Sequence, residues 1–170
     1  RTIVFRRDKG GSMMEQYLIL KLIHILAAVV VTGTGAGIAF FMFMANRSNN
    51  PQAIYITAKH VILGDWIFTT PAVITQIITG VLLMNMQGYS FSAPWFYWVV
   101  GLFAFIGICW LPVLRIQYKL RELAKISVDS NQVAPEFKSL MKTWTLLGIP
   151  AFTAIIGIFW LMVFKPFPVA

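Results

Sequence analysis

The sequence predicts an all-α protein: a four-helix transmembrane bundle with both termini on the same, outer side of the membrane. Three observations carry this. Hydrophobic residues make up 58% of the 170-residue chain and charged residues only 12%, about half the charged share of a soluble domain. The apolar residues fall in four long runs, about residues 15–45, 54–87, 95–118 and 139–164. Each exceeds the roughly 20 residues that a helix needs to cross a bilayer core about 30 Å thick. The basic residues collect in alternate loops, which sets the orientation.

The elements follow in chain order. Residues 1–12, "RTIVFRRDKGGS", end in a Gly-Gly-Ser linker before Met13 and Met14. They read as an appended leader or mis-assigned start, with one membrane domain over 13–170. A signal peptide is disfavoured, because the following apolar run is too long and lacks a small-residue cleavage site. The first loop, "NRSNNPQ", carries Arg47, with Lys59 just beyond. The second, "QGYSFSAP", is uncharged and runs into "PWFYW" (Pro94 to Trp98), a proline suited to a first helical turn and aromatics suited to an interface. The third holds Lys119, Arg121, Lys125 and Lys138, flanked by Arg115 and Lys142. Loops one and three are therefore expected inside. "YKLRELAK" reads as a helical extension of the third run.

The net charge of +8 sits at helix ends, a pattern of membrane orientation rather than nucleic-acid binding. The single cysteine, Cys109, permits no disulfide within the chain. No nucleophile elbow, HExxH or phosphate loop is present, so soluble-enzyme chemistry has no foothold.

Ionisable and polar residues inside a membrane are functional candidates. In the first run His24, Ala27, Ala28, Val31 and Gly35 share a helical face, and small residues there predict that the face looks inward. Gly33 and Gly37 give a GxxxG spacing that close packing explains. Lys21 lies one turn before the histidine. In the second run Asp65, Thr69, Ala72, Gln76 and Thr79 form a polar and small stripe, with Gly80 beside it. Pro71 frees a carbonyl within this run, and Thr69 or Thr70 is expected to satisfy it.

Depth separates the two histidines. His24 lies roughly 10 Å inside one face and His60 near the other, so their levels differ by roughly 15–20 Å. Two axial ligands of one iron lie only about 4 Å apart, so they cannot share a centre within one subunit. At the level of His24 the other helices offer Gln76, Thr79, Gly80, Phe103 and Gly157, with Met84 and Met162 somewhat higher. Such a layer suits a flat macrocycle held by a histidine, with or without a methionine. The alternative is that His24 hydrogen-bonds Gln76, Thr79 or a water across the bundle. Asp65 needs a cation or a proton; Arg115 or Lys142 is placed to reach it, as a structural pair or in proton handling. Lys59 and His60 are expected to snorkel to headgroups. Met42, Met44, Met84 and Met86 read as packing or interfacial residues, with Cu(I) a minor alternative.

"LKLIHILAAVVVTG", "GDWIFTTPAVITQIITGVLL", "CWLPVLRIQYKLRELA" and "GIPAFTAIIGIFWLMVFKPF" together resemble a family of integral-membrane proteins, domain of unknown function 2269, over about residues 14–168. More distantly, the order of features resembles the copper resistance protein D-like superfamily, which includes the heme-dependent protoporphyrinogen IX oxidase. The shared features are Lys21 and His24, then Thr70, Pro71, Ala72 and Gly80, then Val163, Lys165, Pro166 and Phe167. This resemblance implies heme binding at His24. The oxidase's lysine early in the third run has no counterpart in "PWFYWVVGLFAF".

The sequence reading is thus a multi-pass protein of the bacterial inner membrane that binds heme b for electron transfer or redox chemistry. His24 would be the iron ligand, with Gln76, Thr79 and Gly80 around it. The alternative is a non-enzymatic bundle that binds lipid or partner subunits, or handles a small solute such as copper. Membrane lipids, a homo-oligomer or a redox partner are the expected contacts, and nucleic acid is not.

Overall fold

The computed structural model describes residues 9–166. Most of the leader (residues 1–8) and Phe167 of the terminal motif lie outside the described residues. The architecture is all-helical: α1 (Lys9–Arg47), α2 (Pro51–Gly64), α3 (Thr70–Gln87), α4 (Pro94–Ser130) and α5 (Pro135–Phe164). A π-helical turn, Asp65–Thr69, joins α2 to α3, so that Pro51–Gln87 is one continuous span. Four spans are long and apolar enough to cross a membrane.

Local chemistry sets the breaks between them. Asn50 caps α2 by accepting from the backbone N–H groups of Gln52 and Ala53, and Pro51 follows at the first helical position, where a missing N–H costs nothing. Pro94 and Pro135 begin α4 and α5 in the same way. Gly88 ends α3 at φ 64°, in the left-handed region that glycine enters without penalty. As "YKLRELAK" suggested, α4 continues beyond residue 118, to Ser130.

The π-helical turn precedes Pro71. A proline cannot donate to the carbonyl four residues back. The chain absorbs this by inserting a wider turn, in which the Thr70 N–H reaches the Asp65 carbonyl. The expected remedy does not occur at Thr69, whose hydroxyl is buried without a partner. Elsewhere threonine hydroxyls bond the carbonyl one turn back, as Thr32, Thr75, Thr79, Thr145 and Thr153 do.

The helices pack as two pairs. α1 lies along α2 and α3, and α4 lies along α5. The pairs join chiefly through α2 against α4, while α3 makes no close backbone approach to α4 or α5. The join forms a compact cluster of Met42, Ile54, Leu120, Ala124, Phe137 and Met141 at the end carrying the basic loops. At the opposite end Tyr17 accepts from Gln87. There Lys165 Nζ donates to Tyr89 Oη at 3.1 Å, with Trp95 beside it. Tyr17 of α1 and Lys165, just past α5, therefore each reach the connection between α3 and α4.

Candidate functional site

A cavity of about 610 Å³ lies between the two helix pairs. Small residues create it. Gly35, Gly107 and Gly148, on three different helices, line it, and an added Cβ at any of them would meet nothing within 4 Å. The small-residue face of α1 does look inward, since Ala28, Val31 and Gly35 line the cavity. It does not bring backbones together, however. Gly33 and Gly37 also face open space, so the GxxxG spacing makes no close packing among the described residues. Aromatic rings supply much of the wall, among them Phe103, Trp110, Trp144 and Phe159. Exposed Phe40, Phe43, Ile149 and Phe152 also line it. They belong to α1 and α5, which touch only lightly, so the cavity opens sideways, toward lipid.

Few polar groups face this space. Asp65 is 4% exposed, and Gln117 Nε2 donates to its Oδ2 at 2.6 Å. The expected cation is not there. Arg115 and Lys142 are exposed, and the only salt bridge among the described residues joins Arg121 to Glu122. The reason is helical phase: Arg115 and Gln117 are two positions apart and cannot share a face, and the face turned to Asp65 carries Gln117. Four buried side-chain atoms among the described residues lack a hydrogen-bond partner: Thr69 Oγ1, Gln76 Oε1, Trp95 Nε1 and Trp144 Nε1. Three of those side chains, Thr69, Gln76 and Trp144, line this one cavity. Buried polar groups are normally paired, so their convergence is informative.

His24 sits next to the cavity, not in its wall. Its ring is half-buried against α3. Gln76 Nε2 donates to His24 Nε2 at 3.2 Å, and His24 Nδ1 lies 2.7 Å from Thr79 Oγ1, whose hydroxyl donates to the Thr75 carbonyl at 2.6 Å. These partners fit one tautomer, with the proton on Nδ1. Gly80 lies against the ring: a Cβ there would stand 3.4 Å from His24 Cε1, an ordinary contact. Gln76 links the two features, since it bonds His24 and also lines the cavity.

The remaining sequence-predicted residues disperse. Lys21 is exposed, its Nζ 5.7 Å from the Tyr17 ring. His60 is exposed near the basic end, and Lys59 lies over the Tyr55 ring. Gly157 packs on Leu102, Met84 is buried with Ala93 and Trp95, and Met162 is exposed. No group of three His, Cys, Asp or Glu side chains able to hold a metal occurs among the described residues.

Sequence reasoning missed Gln117 and Trp144. Gln117 closes the apolar stretch of the third run, next to its basic helical extension, where a polar side chain reads as interfacial. With α4 continuing to Ser130, Gln117 lies about as far from that end as Asp65 does beyond the 14 residues of α2. The two therefore meet at one depth.

Neither a search of curated proteins nor one of solved structures finds a match. Residues 18–166 match the family described as predicted integral membrane protein (DUF2269), and the chain belongs to that family of integral membrane proteins.

Proposed function

We propose that this protein is a membrane-embedded binding protein that takes a lipid-soluble small molecule from the bilayer into the cavity between its helix pairs. One observation carries the reading. The space of about 610 Å³ has apolar and aromatic walls, a few convergent polar groups and a rim of exposed Phe40, Phe43, Ile149 and Phe152. Small-molecule sites have this make-up and occupy about 300–1,000 Å³. The basic end would face the cytoplasm by the distribution of Lys and Arg, with both described ends of the chain on the other side of the inner membrane. The test is to purify the protein from native membranes and identify co-purifying small molecules by mass spectrometry. A specific, stoichiometric lipid-soluble compound is expected, and it should be depleted in Gly148→Leu, which narrows the cavity. Identical lipid profiles for the two proteins would reject the reading.

A second reading, heme b at His24, is favoured by the half-buried ring on α1, turned to α3, and by the contact of Thr79 with its Nδ1. A ligating histidine is usually fixed in this way through its other nitrogen. As folded, Nε2 is engaged by Gln76, so iron would have to displace that amide. Heme would supply one-electron redox chemistry, and the chain would orient the imidazole. The visible spectrum of protein purified from heme-supplied cells decides: a Soret band lost in His24→Ala supports this reading, and its absence from the wild type removes it.

A further inference from the structure

Resting on the cavity reading, we infer that the occupant is a lipophilic cation, a single positive charge on an apolar or aromatic body, with Asp65 as its counter-ion. The buried carboxylate has one neutral hydrogen-bond donor, Gln117, and no cationic partner among the described residues. A lone charge in apolar surroundings is unfavourable unless it is paired. The cavity that it faces is walled by Phe103, Trp110 and Phe159, and aromatic faces attract cations, more so where water is excluded.

One unpartnered atom points the same way. Thr69 Oγ1, one helical turn beyond Asp65, can accept a hydrogen bond. An ammonium can donate to this oxygen and to Asp65 together, whereas Gln76 lies roughly 16 Å further along the same span and is out of reach of that nitrogen. Thr69 ends the π-helical turn, and its hydroxyl has no bond to its own helix. Insertions of this kind recur at functional sites. Trp144 Nε1 is the exception, a donor that a bare cation leaves unpaired. An uncompensated buried charge costs more than an unpaired indole N–H, so the carboxylate decides the class. A bare metal ion is a poor occupant, since hard cations take about six or more oxygen ligands and no three-residue ligand group is present among the described residues.

The experiment compares two probes of similar shape, tetraphenylphosphonium and the neutral triphenylmethanol. Binding to the protein in nanodiscs is followed by equilibrium dialysis against empty discs. Wild type is expected to bind the cation at least tenfold more tightly than the alcohol. Asp65→Asn should erase that preference and keep alcohol binding, and Gly148→Leu should weaken binding of both. Equal affinity for the two probes in wild type, or unchanged cation binding in Asp65→Asn, overturns the cation inference and leaves the cavity reading standing. No binding of either probe above empty discs overturns both. If Asp65→Asn fails to assemble, the wild-type comparison decides alone.

Discussion

The basic end of the bundle and its middle are built from the same residue types, yet one is solid and the other hollow. At the basic end Phe137, Ala124, Leu120, Ile54 and Met42 are all essentially inaccessible, and α2 packs directly on α4. One span further along, α3 leaves α4, and Gly35, Gly107 and Gly148 face space that no side chain fills. The difference teaches that small residues have two opposite uses in a membrane. Lipid is as apolar as the protein core, so helices gain by packing rather than by hiding from water. Ala124, at the join, lets two helices touch. The cavity glycines sit where the helices have already parted, and there they enlarge a void.

Four substitutions would break or sharpen this contrast. The largest effect is expected for Phe137→Ala, which empties the solid end. A loss of about 3–5 kcal/mol is typical of deleting a buried aromatic ring, read as an earlier midpoint in unfolding by denaturing detergent. Gln117→Leu should cost about 1–3 kcal/mol or somewhat more, because it strips the Asp65 carboxylate of its described donor. Restoration by Gln117→Asn or by a bound cationic probe would show that the carboxylate is responsible. Ala124→Leu should cost about 1–3 kcal/mol by overpacking a site with no free space. Gly107→Ala is the matching change in the hollow middle. It should be neutral or stabilise by up to about 1 kcal/mol through helix propensity, since the new methyl group meets nothing within 4 Å. If Gly107→Ala were as damaging as Ala124→Leu, the hollow would not exist in the membrane.

The candidate site was half legible. The stripe of Asp65, Thr69, Gln76 and Thr79 and the inward face of His24 were readable, because helical periodicity fixes which residues share a side. What they touch was not. Asp65 was expected to meet Arg115 or Lys142, and it meets Gln117 instead, two positions around the helix from Arg115. Pairing between spans depends on relative depth and rotation, and an error of a few residues at a helix end shifts both. Thr69 was expected to answer the loss at Pro71, and the backbone answered it instead with a wider turn.

The sequence by itself determined that this chain lives in a membrane, how many times it can cross, and which side chains of each helix face one another's neighbourhood. Those follow from hydropathy, the rise of a helix and its period, all local properties. Only the tertiary structure decided that the spans part into two pairs, that the gap between them is a lipid-facing cavity, and that His24 spends both ring nitrogens on α3. These depend on how separate helices lean and rotate against each other, and small differences in packing, spread over many residues, set that.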